Sequence, residues 1–214
     1  MLKHLVGFLD WIYKKRCYFC KNSCEATRMC SKCYDKLIPL PTQVNPIAEG
    51  INIYCCGNYS DELQKLIRGL KYHKQKDLAY FQAKFIYEYW KKLNITGDFQ
   101  VIPVPLHKNR LKKRRYNHME LVATEFCNLT GYTPNFSLIT RIKDTKPQYK
   151  LTKQQRFDNL QNAFRVDKTK LIKNKQCLII DDICTTGSTF EEMIRELKHN
   201  GINDIICLAT TTPF

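Results

Sequence analysis

The stretch Cys177-Leu-Ile-Ile-Asp-Asp-Ile-Cys-Thr-Thr-Gly-Ser-Thr189 decides the fold of this chain. It begins as a short apolar run, the pattern of a strand buried on both faces of a parallel sheet. Two adjacent carboxylates, Asp181 and Asp182, stand where that strand should end. Thr185, Thr186, Gly187, Ser188 and Thr189 then form a turn of small, hydroxyl-rich residues. Phe190, Met193, Ile194 and Leu197 follow at helical spacing. A strand therefore feeds a small-residue loop that opens a helix. The unpaired amides of a helix N-terminus, with hydroxyls around them, make a phosphate cradle. Two acids just before such a cradle suit a phosphorylated sugar, because carboxylates accept hydrogen bonds from vicinal hydroxyls.

A generic acidic strand end is the plain alternative. The acidic strand of a nucleotide hydrolase is another, but it needs a Gly-x4-Gly-Lys-Ser/Thr partner. None of the eight glycines is followed by Lys, and no two are two residues apart, so the dinucleotide fingerprint is missing as well. The run resembles the phosphoribosyl-pyrophosphate (PRPP) motif of type I phosphoribosyltransferases. The resemblance implies that Asp181 and Asp182 hold the ribose hydroxyls and that Thr185 to Thr189 wrap the 5′-phosphate.

Working outward, Ile51 to Tyr54 reads as a strand, and Asp61 to Lys71 and Leu78 to Leu93 as helices. Phe99 to Val104 reads as a buried strand, Glu120 to Leu129 as a helix closed by Gly131, and Ile205 to Thr210 as a last strand. Strands alternating with helices predict an α/β fold with a mostly parallel sheet. The division expected is an N-terminal helix and cysteine module over 1–38, a proline-marked linker over 39–50, and an α/β domain over 51–214. Residues 1–13 carry the stripe Leu2, Leu5, Val6, Leu9 and Ile12, broken by Asp10, and read as a docking helix without a cleavage site.

Four of the eleven cysteines form two tight pairs, Cys17-x2-Cys20 and Cys30-x2-Cys33. Thiolates at this spacing make a tetrahedral four-cysteine site, with zinc the expected metal and an iron–sulfur cluster the rival. Cys24 reads as a spare. The odd count and the adjacent Cys55-Cys56 fit a reducing cytosol better than an oxidised, secreted scaffold. No apolar run reaches membrane-span length. Lys and Arg outnumber Asp and Glu by 35 to 20, a net charge of +15, which favours anionic partners.

The segment His107 to His118 holds six Lys or Arg and no acid before its end, and it reads as a basic loop after the strand ending at Val104. It would clamp pyrophosphate, track a nucleic-acid backbone with Tyr116 as a stacking face, or both. With Leu70-Lys71-Tyr72, Pro103-Val104-Pro105-Leu106 and Gln148-x2-Leu151-x4-Arg156-x2-Asn159-x4-Phe164, the chain resembles the ComF family of competence-associated, phosphoribosyltransferase-like proteins, GntX-type members included. That family reads close to Arg-Gly-Phe-Asn-Gln after the basic loop. Here Arg115-Tyr116-Asn117-His118 lacks the glycine and the glutamine.

The resemblance implies a type I phosphoribosyltransferase fold with a small zinc module. It also implies a cytoplasmic protein that binds PRPP with Mg²⁺, handles incoming single-stranded DNA and meets other DNA-uptake or DNA-processing proteins. Lys71, Arg110, Lys112, Lys113, Arg114 and Arg115 are the candidates for pyrophosphate or DNA. Gln148 and Arg156 would shape the acceptor end or brace a helix over 152–162. Whether phosphoribose is transferred stays open, and an active transferase of nucleotide salvage with no DNA role is the alternative.

Overall fold

The computed structural model describes residues 16–24, 27–41, 44–47, 51–145 and 160–213. The expected docking helix over 1–13 and the stretch from Gln148 to Asn159 lie outside them. The described residues form two sheets. Strands β1 (Val44–Ile47), β2 (Ile51–Asn58), β3 (Phe99–Pro103), β4 (Thr133–Pro134), β7 (Gln176–Ile183) and β8 (Ile205–Thr212) line up in the order β1-β2-β8-β7-β3-β4. All neighbours are parallel except β1, which pairs antiparallel with β2 at one edge. Strands β5 (Ile139–Arg141) and β6 (Phe164–Val166) form a separate antiparallel ribbon. The proline-marked linker thus contains an edge strand, and Pro46 sits where its missing N–H costs least.

The helices are α1 (Ser31–Tyr34), α2 (Asp61–Tyr72), α3 (Leu78–Lys92), α4 (Lys108–Arg114), α5 (His118–Thr130) and α6 (Ser188–His199). Strand alternation sorts the core into two faces. Leu178 and Ile180 of β7 point to the side of Leu66 and Leu70 of α2, Phe85 of α3 and Phe126 of α5. Cys177 and Ile179 point the other way, toward Phe190, Met193, Ile194 and Leu197 of α6 and Phe164 of the ribbon. The next two residues of β7, Asp181 and Asp182, inherit this alternation.

The cysteine module does not stand apart. Cys17, Met29, Cys33 and Leu37 share one core with α2, α3 and α5. A Cβ on Gly69 of α2 would lie 3.1 Å from the Tyr18 ring and 2.6 Å from Leu78 Cδ1, so the absent side chain lets the knuckle seat closely on the helix.

Candidate functional site

Strand β7 sends its chain through α6 to β8 on one side, while β3 sends its chain through α4 and α5 to β4 on the other. The two connections diverge between β3 and β7, and the gap beyond their C-terminal ends is where open α/β sheets bind ligands. A hollow there is lined by Asp181, Ile183, Cys184 and the loop from Thr185 to Phe190. Gly187 takes φ 80°, a left-handed conformation suited to glycine, and ends the loop where α6 begins. Ser188 Oγ and Thr186 Oγ1 lie 2.8 Å apart beneath it.

Asp181 and Asp182 have different surroundings. Asp182 takes an ion pair from Lys71 Nζ at 2.6 Å and a short hydrogen bond from His118 Nε2. Burial would raise its pKa, but these two partners outweigh burial and hold the carboxyl below its ordinary range. Asp181 accepts from the Asp182 amide at 2.8 Å and borders the hollow. Burial, then the charge of Asp182, pushes it up to about 7.

The hydrogen-bond polarity of His118 follows from its partners. Arg114 Nη1 lies 3.0 Å from Nδ1, and a guanidinium only donates, so Nδ1 is the acceptor. Nε2 then carries the proton and gives it to Asp182, leaving a neutral ring. Burial also lowers the pKa of His118. The glutamine expected at this position would show the same face, an amide N–H toward Asp182 and a carbonyl toward Arg114. The expected glycine would fall on Arg115, which takes φ 68° as the left-handed cap of α4.

The basic segment is a helix over Lys108–Arg114, which corrects the loop expected there. Leu, Lys and Arg are good helix formers, and the His107 side chain caps the first turn by accepting from the Asn109 amide. Asn109 Nδ2 donates to Asp144 at 2.6 Å and Arg110 Nη2 to the Thr145 carbonyl at 2.7 Å. Arg114 lies over the Tyr72 ring, 5.6 Å from its centroid. Lys112, Lys113 and Arg115 face solvent. Lys71, Arg110 and Arg114 are thus tied into the fold, and the other three cations are open.

Two residues escaped the sequence reading. His118 stands in the sequence only as a departure from the family's glutamine. Arg141 of β5 is 9% exposed, its Nε meets no hydrogen-bond partner, and it acts electrostatically on Asp181. Nothing in its local sequence sets it apart from other strand arginines.

In the knuckle, the four Sγ atoms of Cys17, Cys20, Cys30 and Cys33 lie within 4.8 Å of one another. Cys20 and Cys30 stand 3.8 Å apart, matching the edge of a tetrahedron with metal–sulfur bonds near 2.3 Å, about 3.8 Å. The Cys30 amide donates to Cys17 Sγ at 3.5 Å. Cys24 is outside the cluster and donates to the Thr27 carbonyl. The cluster is compatible with a structural zinc site.

Comparison with known proteins agrees with this geometry. The phosphoribosyl transferase domain family matches residues 121–212. The DNA utilization protein YhgH of Salmonella typhi is 28% identical over 188 residues, covering 85% of this chain and 78% of that one. Competence protein F of Haemophilus influenzae is 28% identical over 154 residues, covering 70% and 67%. The chain is similar to these competence and DNA utilization proteins, the relatives expected from its resemblance to the ComF family. Its fold is the α/β phosphoribosyltransferase type, with a mostly parallel sheet and an added N-terminal cysteine cluster. Among solved structures, the adenine phosphoribosyltransferase of Thermoanaerobacter pseudethanolicus aligns with TM-score 0.38 at 12% identity, covering 80% of this chain and 83% of that one. No helix among the described residues is long and apolar enough to cross a membrane.

Proposed function

We propose that this chain binds PRPP with Mg²⁺ at the end of β7 and handles single-stranded DNA during DNA uptake. The observation that carries the reading is Asp181, an acid bordering a hollow that the Thr185 to Thr189 loop encloses. The 5′-phosphate would sit on the loop and the first amides of α6, with ribose hydroxyls on Asp181. Asp182 would support the sugar indirectly, through the charge balance with Lys71. Mg²⁺, when it arrives on the pyrophosphate, supplies charge neutralisation, and Asp181 is the acid not paired to Lys71. Arg141 adds a buried cation on the side of Asp181. Lys112, Lys113 and Arg115 are the cations open to pyrophosphate or a DNA backbone.

The same reading makes zinc the metal of the knuckle. A closed set of four thiolates leaves no open position for water, so its role is structural. The odd count of eleven cysteines and the adjacent Cys55-Cys56 support a reducing cytoplasm as the chain's compartment. The knuckle and its edge-strand linker would front a phosphoribosyltransferase-like body from residue 51 onward. The names of the relatives, a competence protein and DNA utilization proteins, support the DNA role and contact with other DNA-uptake proteins.

The test is oligothymidylate binding by fluorescence anisotropy across a salt series, with and without PRPP and Mg²⁺. Lys112→Ala with Lys113→Ala should weaken binding and flatten the salt slope by about 0.7 for each phosphate no longer neutralised. Saturating PRPP should lower DNA affinity. Salt-independent or duplex-equal binding would contradict the DNA reading.

A further inference from the structure

The knuckle carries more than its four cysteines. Lys21 Nζ lies 5.1 Å from the Tyr18 ring centroid, and Lys65 Nζ of α2 lies 5.8 Å from Tyr18 and 5.4 Å from Phe19. At the other end of α2, Arg114 lies 5.6 Å from the Tyr72 ring, and Lys76 lies 4.9 Å from Tyr116. The two groups meet on the last turn of α2. Tyr18 packs on Gly69 and its hydroxyl contacts His73 Nδ1, while the Tyr116 hydroxyl donates to the Leu70 carbonyl. Between Lys65 and Tyr72 the helix advances about 10 Å, so this is one continuous surface from the knuckle to α4.

Its charge is uncompensated. Among the described residues, Lys21, Lys65, Arg68, Lys76 and Arg114 make no ion pair with any carboxylate, whereas Lys71, Lys84 and Lys175 do. Arg68 is exposed on the same helix and acts on Tyr18. Tyr72 keeps 64% of its surface open. Alternating cations and aromatic rings fit an unpaired strand, whose phosphates need counter-charge and whose bases need flat faces; a closed duplex hides those bases.

We propose that the four-cysteine knuckle and the exposed side of α2 form the entry half of a single-stranded nucleic-acid track that runs past Tyr72 to α4. The knuckle's metal then holds Tyr18 and Phe19 in place as stacking platforms. This rests on the single-strand reading above and extends it by about one helix length.

The test uses the full-length, zinc-loaded protein and oligothymidylates of two lengths, one long enough to reach only α4 and one long enough for the whole track. Lys21→Glu with Arg68→Glu should cut affinity for the long oligomer at least about fivefold and flatten its salt slope. The short oligomer should bind as to wild type. Lys112→Ala with Lys113→Ala should weaken both. Zinc content and melting temperature of each variant confirm the fold. In parallel, a long oligomer carrying 5-iododeoxyuridine should photocrosslink to Tyr18 or Phe19 as well as to Tyr72. If the knuckle pair leaves the long oligomer unaffected and crosslinks map only to α4, the track is overturned while the α4 reading stands. If neither pair matters and no crosslink forms, both fail.

Discussion

His118 offers a lone pair to Arg114 and a proton to Asp182, and this polarity explains a departure that the sequence left opaque. A glutamine fits the same two contacts, so His118→Gln should keep the melting temperature and PRPP affinity near wild type. His118→Leu leaves the buried Asp182 short of a donor and should cost roughly 1–3 kcal/mol. The ring is neutral and its pKa lies below the ordinary value, so the unfolded chain takes up the proton first. Its stabilisation is present above about pH 6.5 and is lost as pH falls below that; the melting temperature of His118→Gln should therefore drop less than wild type between pH 7 and 5. The two acids separate in the same way. Asp182→Asn strips Lys71 of its counter-charge and should destabilise the fold by on the order of 3 kcal/mol. Asp181→Asn removes an acid already pushed up to about 7, so the fold should hold. PRPP hydroxyls are better bound by the ionised form, so affinity should rise with pH through about 7 and lose that dependence in Asp181→Asn. The adjacency of these acids was legible in the sequence. Their unequal roles were not, because Lys71 and His118 come from distant elements.

At the scale of elements, the period of the apolar residues placed α2, α3 and β7 closely, since packing against a sheet enforces that period. The segment over 107–115 reads as a loop yet folds as a helix over Lys108–Arg114, because its charge density hides good helix propensity and a His cap. The edge strand β1 was hidden by its proline. Gly69 carries a prediction here. Gly69→Leu would drive a side chain into Tyr18 and Leu78, pushing the knuckle off α2. Zinc release to a chelator should accelerate, and an unchanged release rate would detach the knuckle from the helix. On the opposite face, Leu197→Ala should cost roughly 2–5 kcal/mol, read as a fall in denaturation midpoint, because Leu197 is fully buried against the sheet.

For the whole molecule, the charge of +15 includes a site-side cluster on α4 and a strip along α2 and the knuckle. The parts converge on the C-terminal ends of β3 and β7, and the account stands or falls on whether a sugar phosphate binds there. The most direct measurement is the melting temperature at pH 8 with PRPP and Mg²⁺, for wild type and for Asp181→Asn. Ligand at a hundredfold over its Kd should stabilise wild type by about 2.7 kcal/mol, a rise of roughly 5–10 °C for a chain of this size. Asp181→Asn should melt no lower than wild type without ligand, because at pH 8 it removes a buried charge whose pKa folding raises, and it should lose most of the ligand-induced rise. An equal rise in both proteins, or none in wild type, would contradict the account.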